Sequence, residues 1–152
     1  MKAKSPSESR VEMTELVLPN HTNALGTIFG GQLMAWIDTA AAVCSFRHCR
    51  NQCVTASMDA LHFISPVKMG EIVILQASVN YTGKTSMEIG VKVTTENPLT
   101  GEKKHTASAY LTFVAVNEKG HPVPVPPVLP HTEQEKRWNM EAKKRRAVRI
   151  GG

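Results

Sequence analysis

From Val54 onward the hydrophobic pattern of this chain changes its period, and that change limits the folds open to it more than any other feature. Before it, Leu33, Met34, Ile37, Ala40, Ala41 and Cys44 fall at three- and four-residue steps within LMAWIDTAAAVCSFRH, the apolar stripe of a helix. The neighbouring alanines widen that stripe, so the helix is expected to be enclosed by a sheet, not laid on its surface. After it, four segments repeat every two residues with turn signals between them. These are residues 53–63, residues 71–82, a stretch in which Met87, Ile89, Val91 and Val93 alternate with Glu88, Gly90, Lys92 and Thr94, and residues 105–117. In the third segment one face is expected to be buried and one wet; in the last, both faces are apolar enough to be covered. A short first strand is expected within residues 9–18, with Val11, Met13, Leu16 and Leu18 pointing inward. Strand, loop, helix and four hairpin-linked strands predict an α+β fold in which a long antiparallel sheet wraps around one central helix.

At 152 residues the chain has the length of one ordinary domain, with 41% hydrophobic and 20% charged residues, as in globular proteins. No apolar run approaches the roughly 20 residues that span a bilayer, and MKAKSPSESR has no apolar segment of a secretory signal, so a cytoplasmic location and no membrane insertion are expected. The formal charge of +5 comes largely from Lys136, Arg137, Lys143, Lys144, Arg145, Arg146 and Arg149. A solvated basic helix explains such a tail as readily as an acidic partner does, and few aromatics are present to stack on bases; no nucleic-acid partner is expected. Cys44, Cys49 and Cys53 are an odd number, against a disulfide framework, and with His48 they match no standard zinc spacing; no metal is expected. GHPVPVPPVLP, residues 120–130, has too many prolines for a helix or central strand and should run extended. Residues 9–120 are therefore expected to form the domain, and residues 121–152 a Pro-rich segment and a basic tail whose removal leaves sheet and helix complete.

The stretch HTNALGTIFGGQLMAWID, residues 21–38, resembles the signature of the hotdog-fold acyl-CoA thioesterases, the branch of brain-type acyl-CoA hydrolase and its bacterial relatives. VTASMDALHFISPVKMGE, YTGKTSMEIGVKV and YLTFVAVNEKG follow in the same order and spacing, so the resemblance covers roughly residues 9–120. It implies hydrolysis of acyl-CoA to fatty acid and coenzyme A by homodimers that commonly stack as trimers of dimers. Coenzyme A is then part of substrate and product, and no cofactor is needed. The resemblance also implies that Asp38 is general base or nucleophile and that Asn23, from the partner subunit, assists it.

The residues themselves suit that chemistry. A thioester needs an activated water or nucleophile and stabilisation of the oxyanion. Gly30 and Gly31 precede the helix, where unpaired N–H groups and the positive end of the dipole coincide, and without side chains they admit a carbonyl oxygen; a tight turn would also explain them. Asp38 places a carboxylate in a mostly apolar helix, costly unless paired or used, although an Asp facing solvent fits the same pattern. For coenzyme A, Lys84, Thr85 and Ser86 lie at a hairpin turn whose N–H groups could reach a phosphate. Arg47 and His48 could do so too, or could merely balance the helix's negative end. Thr55 and Ser57 are candidate pantetheine contacts, and Met58, His62 and Phe63 candidate walls of an acyl slot. Two rivals remain: a dehydratase on the same scaffold, for which His21 would be the catalytic histidine, and a non-catalytic acyl-CoA sensor, for which no helix-turn-helix is evident.

Overall fold

The computed structural model describes residues 1–151, with side chains described as far as Arg149. Strand β1 (Val11–Leu16) is followed by helix α1 (Gly30–Cys49), strands β2 (Cys53–Phe63), β3 (Ile72–Thr82), β4 (Ser86–Glu96) and β5 (Lys103–Ala115), and helix α2 (Glu133–Gly151). The five strands form one antiparallel sheet in the order β1-β3-β4-β5-β2. Helix α1 lies along one face of it, as the widened stripe implies. Leu33, Ile37, Ala40, Ala41 and Cys44 are completely buried and share one core with Leu75, Ile89, Leu111 and Phe113. The exception in the stripe is Met34, which is 42% exposed. It shares a face of α1 with Asp38, four residues on, and that face is not fully covered by the chain's own sheet.

Three expectations are revised. In the first strand the inward set is odd-numbered, so Val11 and Val17 are buried while Leu16 and Leu18 are exposed. The wet face expected of β4 is not wet at Glu88, which is only 5% exposed. The cause is α2, expected as a dispensable tail, which packs on the sheet face opposite α1. Its Arg145 donates to both carboxylate oxygens of Glu88 at 2.7 and 2.8 Å and stands 3.7 Å over the Tyr110 ring. Asn139 donates to the Asn80 carbonyl, Arg149 to Asp59, and Ala142 is buried. At its first turn Glu135 binds Arg10 at 2.8 Å.

The proline-rich stretch runs extended across one end of the molecule. It is tied by Val125 N–H to the Lys84 carbonyl and by the Pro126 carbonyl, which accepts from His48 Nε2 at 2.7 Å. Burial holds the His48 pKa below its ordinary value, so the ring is the neutral tautomer with its proton on Nε2. Cys44 is buried and its thiol is pushed up to about 12 by loss of solvent. It is protonated and unreactive at neutral pH.

Candidate active site

Helix α1 opens with no side-chain cap. Its N-cap residue is Phe29, which has no oxygen to offer, and Gly30 and Gly31 follow. Among the described hydrogen bonds neither glycine N–H has an acceptor. Neither glycine has a positive φ, so backbone conformation does not demand glycine here. A Cβ on Gly30 would meet nothing within 4 Å. The missing side chain therefore leaves open space beside N–H groups that lack an acceptor, at the positive end of a 20-residue helix. That space is a cleft of about 410 Å³ lined by Thr27, Ile28, Gly30, Phe63, Ile64, Ser65, Pro66 and Val67.

Asn23 stands in the loop that leads into α1. Its side-chain carbonyl accepts from Leu25 N–H at 2.9 Å, from Thr27 N–H at 3.3 Å and from the Thr27 hydroxyl at 3.2 Å. Gly26, at φ 77, lets the chain reverse there, and its carbonyl accepts from Met69 N–H. With Oδ1 committed to the turn, the NH₂ of the exposed Asn23 has no acceptor among the described hydrogen bonds. His21 also fixes this loop: Nδ1 accepts from Leu18 N–H at 3.0 Å and the ring meets Trp36 edge-on at 5.0 Å.

Asp38 lies eight residues beyond Gly30, which at 1.5 Å per residue is about 12 Å along the helix axis. It is half-buried, and Oδ1 accepts from the hydroxyl of Thr55, on β2, at 2.8 Å. Among the described residues no donor reaches Oδ2, and Asn23 and Asp38 of one chain share no hydrogen bond. Thr55 is thus placed beside the candidate catalytic carboxylate, a more intimate position than the pantetheine contact expected of it.

Ser57 does not accompany it. Bulges between Thr55 and Ser57 and between Met58 and Ala60 break the alternation of β2, and the Ser57 hydroxyl donates to Asp59 Oδ1. Asp59 Oδ2 in turn accepts from Thr112 and Arg149. Phe63 lines the cleft beside Gly30, whereas Met58 and His62 are not among its walls. Arg47, in the last turn of α1, donates to the Arg10 carbonyl at 3.2 Å, on the far side of Asp38 from Gly30.

At the β3–β4 turn, the carbonyls of Lys84 and Thr85 accept from Val125 and Ala115 N–H groups, and the Lys84 side chain is exposed. Arg146 joins them from α2. Its Nη1 lies 3.4 Å from the Ser86 hydroxyl, and a Cβ on Gly83 would fall 2.1 Å from it. Without a side chain at Gly83 the Arg146 guanidinium lies close against this turn, and two cations share it. Sequence spacing could not reveal this, because Arg146 is brought in by the packing of α2. A larger recess of about 550 Å³ lies under α2 on the opposite sheet face, lined by Arg10, Ser78, Lys92 and Trp138 among others. It contains none of Asn23, Gly30, Asp38 or Thr55, so size alone does not mark the site. Among the described residues no group of three His, Cys, Asp or Glu is arranged to hold a metal ion, and no helix is long and apolar enough to cross a membrane.

Known proteins share this fold and much of this sequence. Residues 25–102, about half of the chain, match the family described as the Thioesterase superfamily. The uncharacterized acyl-CoA thioester hydrolase YkhA of Bacillus subtilis is 47% identical over 128 residues, covering 84% of this chain and 74% of that protein. A crystal structure of an apo-hexameric acyl-CoA thioesterase superposes with a TM-score of 0.96 at 44% identity, covering 99% of this chain and 97% of the other. An acyl-CoA hydrolase from Staphylococcus aureus, solved with butyryl coenzyme A, coenzyme A and coenzyme A disulfide, gives a TM-score of 0.93 at 39% identity, covering 98% and 91%. Single alanine variants of that enzyme at an asparagine, an aspartate and a threonine have also been solved, the three positions separated by 15 and 17 residues. Uncapped glycines, an apolar helix interrupted by one aspartate and a five-stranded wrap come together in this kinship: the chain belongs to the thioesterase superfamily, with the hotdog-fold acyl-CoA thioesterases.

Proposed function

We propose that the chain hydrolyses acyl-CoA thioesters at sites built by two copies of itself. The observation that carries this is the separation of Gly30 from Asp38. An oxyanion donor must stand about 3 Å from the carbonyl oxygen, and the attacking group must reach the carbonyl carbon. Two groups about 12 Å apart on one rigid helix cannot both do so, since the short side chain of Asp38 closes only part of the gap. A second subunit supplying Asn23, Gly30 and Gly31 to the Asp38 and Thr55 of the first resolves it, giving two equivalent sites per dimer.

The surface around Asp38 supports that assembly. Strand β2 is an edge of the sheet, with one row of backbone groups free for another strand. Val54 on β2, Phe63 at its end, Ile64 just beyond and Met34 on α1 are exposed large apolar residues. The solved relative described as hexameric is consistent with stacking three such dimers.

In the reaction, Asp38 either takes a proton from a water that attacks the thioester carbon, or attacks that carbon itself to give an acyl anhydride that a water then hydrolyses to free acid and carboxylate, while Thr55 holds Oδ1 and leaves Oδ2 free. The N–H groups of Gly30 and Gly31 and the NH₂ of Asn23 stabilise the oxyanion and position the carbonyl. Collapse of the tetrahedral intermediate breaks the C–S bond, and the coenzyme A thiolate leaves, taking the proton that Asp38 removed from water or, after direct attack, one from solvent. Asn23, Asp38 and Thr55 are separated by 15 and 17 residues, the spacing of the asparagine, aspartate and threonine replaced in the Staphylococcus aureus enzyme. Lys84, Thr85 and Ser86, joined by Arg146, bind the phosphates of coenzyme A, and Arg47 lies along its path. The mostly apolar cleft beside Gly30 takes the acyl chain. A thiol-release assay over acyl-CoAs of two to eighteen carbons tests this; absence of thiol from every one of them would leave the sensor in place of the enzyme.

A further inference from the structure

Hydrolysis leaves His21 without a part, yet this residue stands at the root of the loop that carries Asn23 and leads into Gly30. Backbone pairing makes that loop a small hairpin. Phe29 N–H donates to the His21 carbonyl at 3.1 Å, Thr22 bridges to Ile28, and Asn23 N–H donates to the Thr27 carbonyl at 2.9 Å. Asn23 therefore lies two residues beyond the root on one arm, and Gly30 one residue beyond it on the other. Because Phe29 is also the N-cap residue of α1, the pairing of His21 with Phe29 joins the hairpin to the helix. The His21 side chain braces this junction. Its Nδ1 accepts from Leu18 N–H at 3.0 Å while His21 N–H donates back to the Leu18 carbonyl at 2.9 Å, closing a turn that sets the direction of the His21 carbonyl. The ring meets Trp36, buried on α1, edge-on at 5.0 Å and seats that turn on the helix.

The tip of the hairpin is anchored on a different segment, where the Gly26 carbonyl accepts from Met69 N–H and Ile28 N–H donates to the Val67 carbonyl. At the root, the ties to α1 are those of His21. The NH₂ of Asn23 and the N–H of Gly30 have to reach one carbonyl oxygen, and a misplacement of about 1 Å in such a site costs up to about 10²-fold in rate. We infer that His21 is a positioning residue for the oxyanion-binding groups, setting Asn23 against Gly30 through the turn that its Nδ1 closes, and that it touches no reacting atom. The inference rests on the thioesterase reading. With Nδ1 accepting, the proton of the neutral ring is on Nε2, which leaves the ring no lone pair with which to act as the base of a dehydratase.

The test measures kcat and KM for thiol release from palmitoyl-CoA in the wild type, in His21→Phe and His21→Asn, and in Asn23→Ala with and without His21→Phe. Phenylalanine keeps a ring against Trp36 and loses the acceptor, whereas the asparagine amide oxygen stands as many bonds from Cβ as Nδ1 does and can still accept from Leu18 N–H. His21→Phe is expected to lower kcat about tenfold with KM within about twofold, and His21→Asn to keep kcat within about threefold of the wild type. In the Asn23→Ala background His21→Phe should cost less than about threefold more, because the group it positions is already gone; a mere loss of folded enzyme would lower both backgrounds equally. If phenylalanine does not fold, His21→Leu also removes the acceptor and should show the same pattern. Wild-type kcat in His21→Phe, the full tenfold loss in the Asn23→Ala background, or His21→Asn as slow as His21→Phe, the result expected of a histidine that itself moves a proton, each overturns the positioning role while hydrolysis stands. No thiol release by the wild type overturns the thioesterase reading and the positioning role with it.

Discussion

Gly30 and Asp38 lie on the same helix, about 12 Å apart along its axis, one with a free N–H at the helix start and the other with a carboxylate held by Thr55 at 2.8 Å. In the proposed mechanism each is half of a hydrolytic site, and the rigidity of α1 keeps one chain from closing the two halves on a single carbonyl. The proposed division of labour between subunits rests on that helix geometry, and the exposed apolar edge beside Asp38 is the surface proposed for the second chain.

Replacing Asp38 with Asn should lower kcat more than about 10²-fold, because the group that attacks or takes the proton is lost while its shape is kept. Thr55→Ala leaves the carboxylate but frees its orientation, and a loss of about tenfold is expected. Steady-state kinetics on palmitoyl-CoA decide between them. Asp38→Asn retaining more than about a tenth of the turnover would remove Asp38 from the chemistry.

Gly30→Ala separates access from folding. Its backbone is not left-handed and a Cβ has open space in the single chain, so stability should hold or rise by up to about 1 kcal/mol from helix propensity. The methyl group would stand where the carbonyl oxygen must approach, and kcat/KM should fall at least about tenfold. Thermal melts and kinetics on the same preparation check both signs.

Arg145 covers a buried carboxylate. Arg145→Ala should destabilise the fold by roughly 3 kcal/mol, since Glu88, only 5% exposed, would be left without its cation. The pair removed together, as Glu88→Met with Arg145→Leu, should recover most of that loss. Urea melts of the two variants test it, and a stable Arg145→Ala would return α2 to the status of a dispensable tail.

His48 makes stability sensitive to acid. Its folded pKa is held below 6.5 by burial, so below pH 6.5 the unfolded chain binds a proton that the folded chain refuses. Stability is full above that pH and declines as pH falls from about 6.5 toward the lower folded pKa. Melting temperature between pH 7.5 and 5 should fall in the wild type and fall less in His48→Gln, which can still donate to the Pro126 carbonyl.

The sheet and central helix were legible in the sequence because both are patterned by burial, and the strand segments from residue 53 onward coincide with β2 to β5 within a few residues. Asp38 was legible as a charge interrupting an apolar stripe, and its partner Thr55 only as a polar residue on the next strand. What stayed hidden depends on packing between distant segments. Glu88 looked like a solvent-facing residue because the helix that buries it lies 57 residues away in sequence. Ser57 looked equivalent to Thr55 because a β-bulge leaves no mark in period-two spacing. Arg146 was one of several tail charges until α2 placed it against the β3–β4 turn.

The most direct measurement of the shared site is complementation between inactive chains. Asn23→Ala and Asp38→Ala should each be nearly inactive alone. In a mixed dimer one site carries both defects and the other carries neither, because its Asn23 comes from one chain and its Asp38 from the other. About half of the dimers are mixed after statistical reassembly and each has one intact site of two, so co-refolding should restore roughly a quarter of wild-type thiol release. If Asn23 and Asp38 of the same chain formed the site, every site in every dimer would stay defective, and no activity returning on mixing would contradict the account.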